Sequence, residues 1–291
     1  MMASPEDELR EKIVKVYAQA AAEAKKKMDD FEKAHEAKSR KMLQQVKSGK
    51  ITEADYKSWL RGQVFIGKRW EQKLKDITTV YVEADKKAKA IIGKEEKNVF
   101  VTFGNLTARD MKKDLHGAIS FELYDAATVE RLLKDNPKML PEWKIDEPKD
   151  YIWNEKRVQN AVTQGIIQGE SIANIAKRLT TELATDNASK MNMFARTAVT
   201  GAQNAGRIQR MRESADMGIK VKKIWLATMD DRTRDTHKEL DGQERDIDEP
   251  FEVDGMEIDY PGDPEALPEM VYNCRCTLMY YYPKYQHSYH R

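Results

Sequence analysis

Between Pro5 and Gly49 the chain has neither proline nor glycine, and its apolar residues recur three and four positions apart. Leu9, Ile13, Val16, Ala20, Ala24, Met28, Phe31 and Ala34 form one stripe, which Met42, Leu43 and Val46 carry on. A helix brings such positions to one face, so the spacing predicts a long helix over residues 6–48. Pro5 suits its first turn and Gly49 its C-cap. Thr52 and Asp55 resemble a capping pair opening a second helix over residues 53–92. The second stripe is Trp59, Ile66, Trp70, Leu74, Ile77, Tyr81, Ala84, Ala88 and Ile91, and Gly93 is expected to end it. The first hundred residues therefore read as a long helical hairpin.

The following segment is less regular. Residues 99–103 (Val-Phe-Val-Thr-Phe) alternate weakly and read as a strand. Asp125 is positioned to cap a helix to Asp135, and Asn136, Pro137, Pro141 and Pro148 mark a linker with a domain boundary at Lys149. Three more helices are expected: 151–168, 170–183, and one capped by Asp186 that runs to Met217. The third carries Met191, Phe194, Ala195, Ala198, Ala202, Ala205, Ile208 and Met211 on one face. Its small residues Ala198, Gly201, Ala202, Ala205 and Gly206 would let another element approach closely.

Residues 225–228 form a short apolar strand bounded by charge. Asp230 or Asp231 would then cap a helical turn carrying Arg232, Arg234 and His237, closed by Gly242. An acidic loop over 243–263 and a last strand over 276–282 complete the chain. The fold class is α+β, mainly α: a long N-terminal helical hairpin followed by a helical domain packed on a small antiparallel sheet. The expected domains are 1–149, with the basic hairpin at 6–92, and 150–291.

Of 291 residues, 34% are charged and mean hydropathy is −0.76, which suits long half-exposed helices better than a thick core. No apolar run reaches the length of a membrane span, and residues 1–10 lack an apolar signal core, an expectation of a cytoplasmic product. Two cysteines one residue apart, Cys274 and Cys276, are poor disulfide partners for each other. Net charge is only +1, but it is divided. Residues 12–113 hold 25 Lys and Arg against 14 Asp and Glu, a net +11, whereas residues 222–279 hold 7 against 16, a net −9. Lys25, Lys26, Lys27, Lys86, Lys87 and Lys89 are the candidate DNA contacts, of a non-specific and salt-sensitive kind.

Two thiols and an imidazole are ligands that favour Zn²⁺, so His237, Cys274 and Cys276, with Asp230 or Asp259 as a fourth, are the zinc candidates. Cys-x-Cys departs from the common Cys-x-x-Cys knuckle, and cysteine is also a small buried residue. The expectation is buried packing and hydrogen bonding, with no stoichiometric zinc and no cofactor. The Asp and Arg residues of 230–235 read as a salt-bridge network rather than a catalytic set. Arg196 and Arg207, eleven residues apart on one helix, are expected to pair with Asp246, Asp248 and Glu249. No phosphate-binding Gly-rich loop, Gly-x-Ser-x-Gly elbow or His-Glu-x-x-His helix occurs.

The order and spacing of these pieces resemble the phage head morphogenesis (minor head protein) family typified by head protein F of phage Mu. The resemblance rests on Trp225, the Asp-x-Arg-Thr-Arg-x-x-His turn (Asp230, Arg232, Thr233, Arg234, His237), Leu240-Asp241-Gly242, Pro261-Gly262-Asp263-Pro264 and Asn273-Cys274-Arg275-Cys276. Upstream, Arg196, Asn204 and Arg207 also match, and the whole covers residues 150–283. It implies a non-enzymatic minor capsid protein of a tailed phage, with no catalytic residues. Such a protein associates with the portal and packaged DNA inside the head, with major capsid or scaffold proteins as further partners. Its place would be the virion interior, and the host cytoplasm during assembly. The alternative is a small metal-dependent or ADP-ribosyltransferase-like enzyme using the region from Asp230 to His237 with Cys274 and Cys276.

Overall fold

Ser4 caps the first helix, its hydroxyl accepting the Asp7 backbone N–H at 3.2 Å, and α1 then runs Pro5–Lys47. The computed structural model describes residues 4–65, 68–141 and 147–283, without the side chains of 30–32, 34, 64, 65, 68–70 and 147. Phe31, Ala34, Ile66 and Trp70 of the expected stripes lie outside the described side chains. The tail residues His287, His290 and Arg291 lie outside the described residues. Gly49 ends α1 at φ 71°. Thr52 and Asp55 cap α2 (Glu53–Phe65) reciprocally, the Thr52 N–H reaching Asp55 Oδ2 at 2.9 Å and the Asp55 N–H reaching Thr52 Oγ1 at 3.1 Å.

The chain forms two compact units, one of residues 10–90 and 144–192 and one of residues 1–9, 91–143 and 193–291. They are not the segments on either side of Lys149. The long helices α1, α3 (Lys68–Asp114) and α7 (Leu183–Asp216) each give residues to both units, so a linker signal does not mark the division.

In the first unit α1 and α3 run antiparallel. The Tyr17 hydroxyl donates to Asp85 Oδ1 and the Lys73 ammonium to the Lys27 carbonyl, both at 2.5 Å. Ile13, Ala20, Ala24 and Met28 are buried as the stripe requires, as is Leu9 in the part of α1 that belongs to the other unit, but Tyr17 rather than Val16 fills the next position. α5 (Glu147–Ile167) begins with Pro148 in its first turn, where a missing N–H costs nothing. Ser171 caps α6 (Ile172–Lys177), its hydroxyl 3.2 Å from the Asn174 N–H. A π-helical turn, Arg178–Glu182, joins α6 to α7, so no new helix starts at Asp186. That carboxylate pairs with Arg157 at 2.8 Å instead. Wide π turns leave carbonyls poorly engaged, and Tyr81 Oη reaches those of Leu179 and Thr180 at 2.8 and 2.9 Å.

Gly93 does not end α3, and residues 99–103 are helical rather than a strand. Ile92, Glu96, Val99, Phe100, Gly104, Thr107, Ala108 and Met111 are all buried, a helical spacing that tertiary packing enforces over β-favouring side chains. His116 and Gly117, at φ 50° and 78°, turn the chain out of the helix. Asp125 caps α4 (Ala126–Asp135) as expected, accepting the Thr128 N–H at 2.7 Å.

The second unit holds an antiparallel sheet of order β2-β1-β5, built from Glu244–Asp246, Lys222–Leu226 and Thr277–Tyr281. A separate hairpin pairs β3 (Phe251–Val253) with β4 (Met256–Ile258) across Asp254 and Gly255, both at positive φ. The expected acidic loop thus contains three strands. Their short apolar-inward alternation, with Phe251, Val253 and Ile258 buried, is masked in sequence by the charged residues between them. Two short helices, α8 (Asp235–Glu239) and α9 (Pro268–Val271), connect the strands.

The small residues of α7 sit where backbones meet. A Cβ on Gly201 would stand 2.8 Å from the Gly262 carbonyl oxygen, and one on Gly206 only 2.5 Å from that of Phe100. On an exposed helix Gly→Ala stabilises by about 1 kcal/mol. Gly206→Ala is expected to do the opposite, costing about 1–3 kcal/mol because backbone cannot yield as a side chain can. Denaturant unfolding of the full chain measures the sign.

Candidate functional site

The motif residues assemble where α7 meets the last strand. Helical spacing puts Thr197, Thr200 and Asn204 on one edge of α7, and each bonds the backbone of the terminal segment. Thr197 Oγ1 accepts the Asn273 N–H at 3.1 Å, and Thr200 Oγ1 donates to the Cys274 carbonyl at 2.8 Å. Asn204 is fully buried. Its amide nitrogen faces the carbonyls of Thr200, Pro261 and Cys276 at 3.0, 2.9 and 3.2 Å. Its oxygen accepts from the Leu278 N–H at 2.9 Å and the Thr277 hydroxyl at 3.2 Å. Asn273 turns the chain into this segment at φ 59°.

Asp230 and Arg275 form the second cluster. Arg275 donates through both guanidinium nitrogens, at 2.5 and 2.7 Å. Asp230 Oδ1 also accepts the Arg232 backbone N–H at 3.0 Å, and the Thr233 hydroxyl lies between it and the Thr228 carbonyl. The Arg275 guanidinium, aided by these donors, holds the Asp230 carboxyl well below the usual carboxylate range. Asp230 therefore closes a loop and does not cap a helix: α8 starts after Arg234, without a side-chain cap. Arg234 donates to the Tyr272 carbonyl, while the Arg232 side chain is 72% exposed and 3.7 Å from Asp230.

The third cluster is apolar and sulfur-rich. Trp225, His237, Cys274 and Cys276 are all buried, with the indole and imidazole edge to face at 5.5 Å. His237 Nδ1 lies 3.6 Å from Cys274 Sγ and 3.4 Å from Cys276 Sγ, and the Cys276 N–H points at Cys274 Sγ from 3.4 Å. The hydrogen bond from Cys274 and the imidazole beside it hold the Cys276 thiol below its ordinary range. The same bond, with burial, pushes the Cys274 thiol up. His237 Nε2 and Trp225 Nε1 are buried without a hydrogen-bond partner. Gly242, at φ 76°, closes the segment by donating its N–H to the Trp225 carbonyl at 2.8 Å.

Arg196 and Arg207 do not meet the acidic residues 246–249. Arg196 pairs with Glu6 at 2.8 Å and reaches Asn273 Oδ1 at 3.3 Å. Arg207 lies 5.0 Å over the Phe103 ring and reaches the Leu278 carbonyl at 3.5 Å. Both side chains project onto α3, the chain start and β5, while Asp246 is on the far strand of the sheet, 3.5 Å from Lys222. The candidate lysines belong to the other unit. Lys25, Lys26 and Lys87 are exposed. Lys27 and Lys86 stand near Glu23 and Glu83, and Lys89 is only 12% exposed and bonded to Asp150 at 2.7 Å.

Sequence reasoning passed over Thr200 and the buried cations. Lys223 is fully buried on Asp259, which Arg212 also binds at 2.5 Å. Burial holds the Lys223 ammonium below its usual range despite that partner. A lysine in the middle of a strand was the available signal.

A helix edge binding the backbone of the Cys-Arg-Cys segment that leads into β5, across from an Asp–Arg-locked turn, defines this unit. Residues 156–279 match the model of the family described as Phage Mu protein F like protein, which supports a phage head morphogenesis family. The chain is 29% identical over 163 residues to "Minor head protein GP7" of Bacillus phage SPP1, covering 56% of this chain and 52% of that protein. It is 37% identical over 124 residues to "NAD(+)--arginine ADP-ribosyltransferase EFV" of Enterococcus faecalis, 43% of this chain and 25% of that protein. A Haemophilus influenzae protein is 32% identical over 131 residues, 24% of its length. The chain thus spans between a quarter and about half of these relatives. No solved structure matches it significantly.

Two outcomes are expected of this site. Asn204→Ala, which strands several buried backbone groups, should cost on the order of 3 kcal/mol in denaturant unfolding. For Asp230 the native pKa lies below the unfolded value, so its ion pair contributes stability above about pH 4. That contribution is lost as pH falls through the depressed native value. The Tm difference between wild type and Arg275→Met should therefore be constant near neutrality and shrink as the pH is taken below about 4; calorimetry across that range checks it.

Proposed function

We propose that this chain is a minor capsid (head morphogenesis) protein of a tailed phage or prophage, a non-catalytic part of the head interior that associates with the portal and packaged DNA during assembly. The observation that carries the reading is the Mu F-like match over residues 156–279, supported by the relative named as a minor head protein. The virion would be its destination and the host cytoplasm its place of assembly, with major capsid or scaffold proteins as further neighbours. No helix among the described residues is long and apolar enough to cross a membrane.

The site chemistry favours structure over turnover. Asp230 is engaged by Arg275, Asp235 by Lys238 at 2.9 Å, and His237 is buried, so the groups an acid–base mechanism would use are tied into the fold. The two ends are assigned different work. Exposed Lys25, Lys26 and Lys87 stand in a stretch of net +11 and suit phosphates through an unspecific field. The exposed Arg232, on the Asp230-locked turn, suits shape-specific docking on the portal. The relative named as an ADP-ribosyltransferase keeps an enzyme reading as the second hypothesis.

The whole 291-residue chain is the right material, because each compact unit draws on both halves of it. Pull-down with the portal protein should capture wild type, and Arg232→Ala should weaken capture by about tenfold, the loss of one interface anchor. Duplex DNA binding should weaken steeply with salt, and the Lys25→Glu/Lys26→Glu/Lys87→Glu variant should flatten the log–log salt slope by about one for each phosphate that no longer meets a lysine. Consumption of NAD by a chain that does not bind the portal would replace this reading with the enzyme.

A further inference from the structure

We propose that His237, Cys274 and Cys276 form a zinc site that ties the start of the last strand to α8. The three ligand atoms, all buried, lie within 4.8 Å of one another. Zinc bonds of about 2.3 Å to sulfur and 2.0–2.1 Å to nitrogen, at the tetrahedral angle, place nitrogen and sulfur about 3.5–3.6 Å apart. The observed 3.6 and 3.4 Å from Nδ1 to the two sulfurs fall close to that edge length.

Hydrogen bonding alone gives Nδ1 one sulfur partner at a time. Nδ1 carries at most one proton and can donate to one sulfur, yet it faces both at similar distance. A cation among the three engages all of them at once. The Cys-x-Cys spacing, which argued against metal beside the Cys-x-x-Cys knuckle, suits this place. Both sulfurs face the His237 ring, and the intervening Arg275 is committed to Asp230. The N–H of Cys276 aimed at Cys274 Sγ supports a thiolate there. Binding forms two Zn–S bonds and one Zn–N bond and releases the thiol protons to solvent. A divalent cation with two thiolates and a neutral imidazole is itself neutral, so no net charge is buried. Asp230 and Asp259, the expected fourth ligands, are held by Arg275 and by Lys223 with Arg212, which leaves the fourth position to a solvent oxygen.

The test uses the full chain, expressed without a histidine tag and purified without chelator. Elemental analysis should find about one zinc per chain, and chelator should remove it and lower the Tm. Titrating the stripped chain with Co²⁺ should give thiolate-to-cobalt charge-transfer absorption. His237→Gln, Cys274→Ser and Cys276→Ser should each reduce zinc content at least about tenfold, with circular dichroism reporting whether each still folds. Where a variant does not fold, wild type decides. A folded chain with reduced thiols that holds no zinc and gives no cobalt absorption overturns the site, as does zinc retained by a folded Cys274→Ser/Cys276→Ser chain.

Discussion

The sheet unit depends on one contact: the polar edge of α7 against the backbone of residues 273–278. The strands of the three-stranded sheet are only three to five residues long, at or below the usual strand length, so their ladders are short. What fixes β5 beyond its pairing with β1 is Thr197, Thr200 and Asn204, which bond its approach and its first residues. These bonds require close approach, and Gly201 against Gly262 permits it. Hydrogen bonding and glycine packing are therefore one constraint: enlarging the glycine would lift the helix from the segment and strand the buried amide of Asn204. The Trp225, His237 and cysteine cluster then lies at a strand start that α7 has already positioned.

Legibility followed periodicity. α1 was readable end to end, because its stripe, caps and freedom from proline and glycine all agree. α3 was misread where local and tertiary preferences disagree. Gly93 and the β-favouring residues 99–103 signal an end and a strand, yet one buried face running from Ile92 to Met111 outweighs both. The strands at 244–258 were lost because three residues make too short a pattern to show through acidic neighbours. Among site residues the chemical types were legible, and so was their clustering around Trp225 and the Cys pair. Their partners were not: Arg196 meets Glu6, 190 positions away, and no spacing rule reaches that far.

Charge in the acidic segment is arranged by depth. Lys223 and Arg212 are mated to Asp259 and Arg275 to Asp230, whereas Arg234 and Arg245 bond backbone carbonyls. A buried ammonium such as Lys223 stays charged only because its partner offsets part of the desolvation, so removing Asp259 would leave an isolated charge in an apolar place. The surplus that gives this segment its −9 is on the outside, where Asp248, Glu249, Glu252, Glu257 and Glu269 are exposed. Such a surface repels phosphate within a Debye length.

The same depth argument bears on what the motif can do. A group that transfers protons must change its bonding during the reaction and must have somewhere to meet substrate. Asp230 is held in its ionised state by two guanidinium bonds, an N–H and a hydroxyl, and giving up that proton-free state would break the turn it closes. His237 has its Nδ1 on the sulfurs and its ring against Trp225. Arg234 is spent on a backbone carbonyl. Of the motif guanidinium groups, Arg232 is the one left largely in water, its side chain 72% exposed on the turn that Asp230 closes. The residues that look most chemical in the sequence are thus engaged in holding a loop in shape.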